Sequence, residues 1–439
     1  MKRLLILAYD FPPYVSVGGL RPYAWYKYLK EFDVYPIVVT RQWGNKYGNE
    51  LDYVAPSESA ETIVEETEFG TIIRTPYKPN LANRLMLKYG KNRFALVRKA
   101  VTAFYEIAQF VFFVGPKAGI WRGAKNYLKS NKVDAIIATG EPFILFRYAS
   151  VLGKRFRLPW VADYRDPWTQ NKNRALRIMR HFERKFVNRA NAVTTVSEFF
   201  KSKIGEIVSE PTYYILPNGY NPDSVKQVEH IEQNSDALRI ALAGTISSWH
   251  PYKSVLEVFA DFVRANTTGV RLELNFFGIN RHEEIERFAQ EHSLQEHIHV
   301  YPRMDNVALL KNLRQHNAML LFNDYSYIGT KIYDYLAIKR RILLCYANDE
   351  EAQRLKADFY PYSLSADKSL SGHLQEDCLR ETDSGIVVKD SQHLRWVLAD
   401  LCEEFVENKR IACNSHNVEQ FSRREQTRLL AKIVKENVG

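Results

Sequence analysis

"YDFPPYVSVGGLRPYAWYKYLKE", residues 9–31, carries the first decision about the fold. The apolar run RLLILAY (3–9) leads into it and an amphipathic pattern follows. The chain therefore leaves a strand, crosses a loop stiffened by Pro12 and Pro13, and meets Gly18 and Gly19 where a helix begins. One reading is a tight βα turn in which glycine supplies backbone angles other residues resist. The other is an anion site, where the missing side chains let a phosphate approach N–H groups at the positive end of the helix dipole. The rest of the chain has to choose.

Further runs of the same kind follow: PIVVT (36–40), TIIRT (71–75), VDAIIATG (133–140), PWVADY (159–164), NAVTTVS (191–197) and YYILPNG (213–219). After a polar stretch come LRIALAG (238–244), LELNFFG (272–278), IHVYPR (298–303), AMLLFND (318–324) and RRILLCY (340–346). Continuous apolar runs alternating with helical patterns describe buried parallel strands in doubly wound sheets. The second series reopens as the first did, with a strand and a small-residue turn, LAGTIS. The sequence thus predicts an α/β protein of two Rossmann-like domains, at 1–220 and 237–416, joined by a linker at 221–236 inside the turn-rich NGYNPDSVKQVEHIEQNSDA. The closing segment 417–439 has helical spacing in Phe421, Leu429, Leu430, Ile433 and Val434, so its helix either caps the second domain or returns to the first. Two such domains facing each other leave a cleft, with ligands expected at the carboxyl ends of the strands.

Composition narrows the class. With 46% hydrophobic and 26% charged residues in 439, the chain reads as globular and long enough for more than one core. Cys345, Cys378, Cys402 and Cys413 form no CxxC pair, which argues against a zinc site or disulfide framework and fits a reducing compartment. The apolar run in MKRLLILAYDFPP is too short for a signal-peptide core. The net charge of +10 is concentrated: residues 84–132 hold 11 Lys or Arg against one acid, Glu106. Within AVTAFYEIAQFVFFVGPKAGIW (100–121) the uninterrupted apolar stretch is too short to span a bilayer, which needs about 20 residues. Basic residues around aromatic and aliphatic ones fit either an anionic membrane surface or a core helix with a solvated basic flank. No nucleic-acid-binding motif accompanies them.

Three polar clusters follow predicted strands. Asp163-Tyr164-Arg165-Asp166-Pro167-Trp168 brackets an arginine with two carboxylates, as a self-satisfied ion-pair network or as a polar site. Gly244-Thr245-Ile246-Ser247-Ser248-Trp249-His250-Pro251-Tyr252-Lys253 offers hydroxyls, backbone amides and a lysine before the helical pattern SVLEVFADFV. That suits a diphosphate, and equally an ordinary capped helix with Lys253 exposed. In the third, Asn323 to Ala337, Gly329 and Thr330 sit where a helix begins, Lys331 adds charge, and Asp334 is placed to accept from a ribose diol.

With these motifs in order, the chain resembles the retaining glycosyltransferases of family 4, which have the GT-B fold of two facing Rossmann-like domains with an interdomain cleft. The resemblance covers essentially the whole chain, including ADYRDPW (162–168), TVSEFFKSKI (195–204), YYILPNGYN (213–221), GTKIYDYLA (329–337) and DSGIVV (383–388). It implies that Gly18 and Gly19 form the glycine loop near the donor diphosphate and that Lys253 contacts that diphosphate. It also implies that Ile328, Gly329 and Thr330 hold donor phosphate or sugar through backbone amides, and that Asp334 binds ribose. Gly244, Thr245, Ser247 and Lys331 complete the expected donor site. Three places depart from the family: Ser326 stands where its first glutamate is expected, with Asp324 a substitute; Tyr164-Arg165-Asp166 occupies a loop where many members have a histidine; and Thr245 replaces an arginine. The loop Tyr164-Arg165-Asp166 resembles a subgroup of bacterial surface-polysaccharide transferases.

The implied reaction moves a sugar from a nucleotide-diphosphate donor to an acceptor hydroxyl with retention, without metal or other cofactor. Gly19, Lys253, Lys331 and the amides at 329 and 330 would stabilise the leaving diphosphate. Asp163 or Asp166 would orient the acceptor, and Arg165 would hold a carboxylate or phosphate. The expected partners are a nucleotide-sugar, a lipid-linked saccharide acceptor and an anionic membrane reached through 84–132, with no nucleic acid. This places the protein in the cytoplasm, peripheral on the cytoplasmic face of the membrane. The competing readings are a nucleotide-sugar epimerase and a catalytically silent nucleotide-sugar-binding subunit.

Overall fold

Two sheets organise the chain in a computed structural model that describes residues 1–44, 50–169, 177–359 and 371–437. The first contains β1 (Lys2–Leu7), β2 (Val34–Arg41), β3 (Ile63–Glu66), β4 (Thr71–Thr75), β5 (Ala135–Gly140), β6 (Trp160–Tyr164), β7 (Ala192–Thr195) and β8 (Thr212–Ile215). Their order is β3-β4-β2-β1-β5-β6-β7-β8, and only the β3–β4 pair is antiparallel. The second contains β9 (Leu238–Ala243), β10 (Leu272–Phe277), β11 (Ile298–Tyr301), β12 (Ala318–Phe322), β13 (Arg341–Cys345) and β14 (Gly385–Val388), all parallel in the order β11-β10-β9-β12-β13-β14. Strand order reverses at β1/β5 and at β9/β12, the switch points where α/β sheets bind ligands.

The central strands are nearly free of solvent contact, as parallel strands covered on both faces must be. β3 is absent from the strands expected from the sequence. Its four residues, IVEE, are all exposed on the sheet edge, so no apolar run marks them.

The chain divides into two compact units, residues 1–217 with 423–439, and residues 218–422. The polar segment read as a linker belongs to the second unit and is not free chain. Asn221 caps a short helix, Pro222–Lys226, and Val228 is fully buried. Arg314 donates to the carbonyls of Glu229 and Ile231. Residues 417–422 also lie in the second unit, while the helix Arg423–Asn437 lies in the first. It buries Leu430 and Val434 in the core that holds Trp25 and Leu29.

Asp163 anchors the first unit. The side chain is wholly buried at the end of β6 and accepts from Arg21 Nη2 (2.7 Å), Thr139 Oγ1 (2.8 Å) and Thr194 Oγ1 (2.7 Å). Arg21 also donates to the carbonyls of Leu216 and Pro217, each at 2.9 Å. The expectation that Asp163 orients an acceptor is therefore corrected. Its oxygens are occupied by buried protein donors, and it acts as a structural hub. Removing one member of a buried ion pair costs about 3–5 kcal/mol, because the other charge is left uncompensated. Asp163→Ala is expected to lower unfolding free energy by that order in denaturant titration, and an unchanged midpoint would refute the hub.

Candidate functional site

In the first unit, the helix Val17–Tyr28 starts just past β1, with Ser16 as its cap. Ser16 Oγ donates to Asp10 Oδ2 (2.7 Å) and accepts from the Gly19 amide (3.1 Å). Neither Gly18 nor Gly19 has a positive φ, so backbone angle does not demand glycine at either position. Space does. A Cβ on Gly18 would stand 2.7 Å from Asp10 Oδ2 and 2.8 Å from Arg165 Nη1. A Cβ on Gly19 would meet the Asp10 carbonyl at 3.3 Å. The Gly19 amide, expected to face a diphosphate, is instead bonded to Ser16.

Arg165 is held by its own hydrogen bond from Nε to the Gly140 carbonyl, 2.6 Å, at the end of β5. Burial raises the pKa of Asp10, while the Ser16 hydrogen bond and the Arg165 charge pull it back. Asp166 is exposed beside Arg165. Asp10, Ser16, Gly18 and Arg165 thus form one polar group at the β1/β5 switch point. Gly18 and Arg165 are marked by sequence motifs, whereas Asp10 and Ser16 carry no such mark.

In the second unit, Gly244 ends β9 with φ +81°, and a Cβ there would meet Lys331 Cε at 2.9 Å. The lysine lies across the glycine, and its Nζ donates to the Thr245 carbonyl at 2.6 Å. Thr245 and Ser248 are exposed, and Ser247 is half-buried. The Ser247 amide donates to His250 Nδ1 (3.0 Å), which places the imidazole proton on Nε2, facing Asp324 Oδ1 at 3.1 Å. Trp249 Nε1 donates to the same oxygen at 3.0 Å, and Lys356 Nζ lies 3.7 Å from it. Oδ1 of Asp324, the residue expected to substitute as a sugar-hydroxyl acceptor, is thus engaged by the indole and the imidazole, with a buried ammonium nearby.

These contacts set the charges. His250, Lys356 and Trp249 hold Asp324 well below the usual carboxylate range despite its burial. Burial lowers the pKa of His250, favouring the neutral ring. Burial also pushes Lys331 and Lys356 down to about 8, with Asp324 opposing the shift in both.

Ser326 and Ile328 are buried behind the loop, and Gly329 and Thr330 are half-buried at the start of the helix Lys331–Ala337. Asp334 is half-buried in that helix, one residue before Tyr335, whose hydroxyl accepts from the Ala243 amide at 2.7 Å. Lys253 is exposed in the first turn of the helix Tyr252–Ala265. His250 and Trp249 lie inside a motif quoted from the sequence, whereas Lys356 has no signal there, since EEAQRLK reads as an ordinary helix face. Among the described residues, no cluster of His, Cys, Asp or Glu could hold a metal ion.

The glycosyl transferase 4-like domain family matches residues 96–219, from the helix Ala95–Ala108 through β5 to β8. No characterised protein matches the chain by sequence. Solved structures match over its length. Sucrose-phosphate synthase from Thermosynechococcus elongatus superposes with a TM-score of 0.62 at 12% identity, covering 99% of both chains. The UDP-forming α,α-trehalose-phosphate synthase from Burkholderia xenovorans, in complex with glucose-6-phosphate, gives 0.61 at 12% identity over 100% of both. Anabaena HepE in complex with UDP gives 0.54 at 11% identity, covering 99% of this chain and 100% of the other.

The fold is GT-B. In this GT-B chain the clusters after β9 and β12 flank the switch point of the second sheet, and the Asp10–Gly18–Arg165 group flanks that of the first.

Lys331 yields a pH prediction. A lysine with a folded pKa near 8 is charged below that value and loses its proton as pH rises through it, and a bound diphosphate favours the charged form. Where a diphosphate binds beside Lys331, its calorimetric affinity is expected to be level at lower pH and to fall through pH 8 to about 9.5. Lys331→Met should flatten that fall, and a profile identical to wild type would exclude the lysine.

Proposed function

We propose that the chain is a retaining glycosyltransferase of the family 4 type. It moves a sugar from a nucleotide-diphosphate donor to an acceptor hydroxyl in the biosynthesis of a bacterial surface polysaccharide or glycolipid. The observation that carries this reading is Lys331 lying over Gly244 at the β9/β12 switch point, where a missing side chain and a cation with a lowered pKa meet. Support also comes from the fold and from the ligands of two structural neighbours, UDP and glucose-6-phosphate.

In this reading the bond from the anomeric carbon to the diphosphate breaks, the acceptor oxygen bonds to that carbon, and the acceptor proton leaves with the departing phosphate. Charge grows on the diphosphate, so preorganised cations and N–H donors give the largest help. Lys331 and Lys253 supply charge, Gly329 and Thr330 supply amides, and Gly244, Thr245, Ser247 and Ile328 shape the donor seat. Asp334 accepts from ribose. In the first unit, Gly18 gives the loop room for a close approach, Arg165 binds an anionic group of the substrate, and Asp166 orients the acceptor.

A silent nucleotide-sugar-binding subunit has one observation in its favour. Ser326, at the position of the family's first glutamate, is buried and offers no carboxylate. Turnover separates the two readings. Nucleoside diphosphate release is to be scored over UDP-sugars and other nucleotide-sugars, with lipid-linked saccharide and sugar-phosphate acceptors. Tight donor binding without release across the panel would favour the silent subunit, and donor conversion with no acceptor an epimerase.

Lys253→Ala and Lys331→Ala are each expected to lower turnover by about 10²-fold. Wild-type rates in folded variants would remove them from the mechanism. Asp334→Asn should weaken nucleoside diphosphate binding by roughly 1.5–3 kcal/mol, the contribution of a hydrogen bond to a charged group. Equal calorimetric affinities would overturn the ribose assignment.

A further inference from the structure

The basic segment 84–132 divides into parts with different surroundings. The helix Ala118–Ser130 is core: its Gly119 lies against the Pro76 carbonyl and its Gly123 against Thr75, where a Cβ would come within 2.6 Å and 2.4 Å respectively. Lys117, just before it, is turned inward near the Tyr9 ring, and burial lowers its pKa. The helices Leu81–Tyr89 and Ala95–Ala108 behave differently. The second buries only Ala108. Its Leu96, Ala100, Ala103 and Phe104, spaced i, i+4, i+7 and i+8 along one face, are all exposed, with Leu96 at 82% and Phe104 at 65%. Phe94 at the turn and Leu87 on the first helix extend this apolar surface.

The root of the hairpin is fixed. Arg147 donates to the carbonyls of Gln109, Val111 and Phe112, and Phe110 stacks on Trp168 and Phe182 at 5.1 and 5.2 Å. Exposed Lys88, Lys91, Arg93 and Lys99 surround the apolar tip. A contiguous exposed apolar face is a docking surface in need of a cover. Its rim of cations selects the cover. A second copy meeting the same patch symmetrically would oppose like charges, whereas an anionic bilayer accepts the apolar face and attracts the rim.

We propose that this rooted helical hairpin inserts its apolar face into the headgroup boundary of an anionic membrane, with the four cations at the lipid phosphates. No helix of the described residues is long and apolar enough to cross a membrane, so the attachment is interfacial. The inference is independent of which sugar, if any, the protein transfers.

The test is flotation of the full-length protein with phosphatidylcholine vesicles, with and without about 30% phosphatidylglycerol, on a salt series. The wild type is expected to float with the anionic vesicles only, and less as salt rises. Replacing Lys88, Lys91, Arg93 and Lys99 by Gln should lower partitioning at least tenfold. Leu96→Ser with Phe104→Ser, which leaves charge unchanged and alters only exposed side chains, should lower it as much. The emission of Phe104→Trp, set against the tryptophan background of wild type, should shift to the blue on anionic vesicles. Equal flotation with neutral lipid, an undiminished Ser variant or an unshifted emission from the Phe104→Trp variant would overturn insertion. So would a wild-type dimer that the two Ser substitutions dissociate, since that would make a second copy the cover.

Discussion

One buried ion pair orders the first unit. Asp163 ends β6 with no exposed surface, and its donors come from three directions: Thr139 on β5, Thr194 on β7 and Arg21 on the first helix. Arg21 then reaches the Leu216 and Pro217 carbonyls, where the chain leaves the unit. Desolvating two charges is costly, and the attraction offsets it only when the remaining lone pairs and protons are satisfied. Here they are, by two hydroxyls and two carbonyls. An apolar replacement of equal volume could match its stability but would not fix the relative positions of three strand ends, a helix and a chain exit. Arg165 lies two residues beyond Asp163 and bonds to Gly140, the neighbour of Thr139, so its position follows from the hub.

The second unit repeats the device with a different balance. Asp324 also sits past a strand end with several donors on it, but two of its neighbours are ammonium groups, on Lys331 and Lys356. Burial lowers the pKa of both lysines while the carboxylate restrains the fall. The charge of this site is therefore near a point of change at neutral to mildly basic pH. Asp163 closes its site to further ligands, whereas the Asp324 cluster keeps a cation, Lys331, over an open glycine. Similar sequence signatures, an aspartate just after an apolar run, thus give an anchor in one sheet and a counter-ion in the other.

That difference marks the limit of what the sequence reveals. The parallel strands and the places of the clusters were legible, because buried strands and turn residues are local signals. β3 was not, since four exposed residues on an edge carry no apolar signature. Nor was the packing of 218–236, whose polar composition conceals carbonyls held by Arg314 and Arg340. The roles of Asp163 and Asp324 depend on partners far away in sequence, Arg21 for one and Lys356 for the other. Asp10 and Ser16 stood within the stretch that opened the reading, yet only the fold brings them against Arg165.

The question of why Gly18 and Gly19 precede the first helix now has a physical answer different from either first reading. Both residues have ordinary helical angles, so the turn does not require glycine, and the Gly19 amide is occupied by Ser16. A Cβ at position 18 would stand 2.7 Å from Asp10 Oδ2 and 2.8 Å from Arg165 Nη1, so glycine spares those two side-chain ends a shift. The missing side chain lets a carboxylate and a guanidinium approach the same helix start. Burial raises the pKa of Asp10 there, and the Ser16 hydrogen bond and the nearby Arg165 charge pull it back. The room left by Gly18 thus lets both charged side chains stand at the same helix start, beside the β1/β5 switch point.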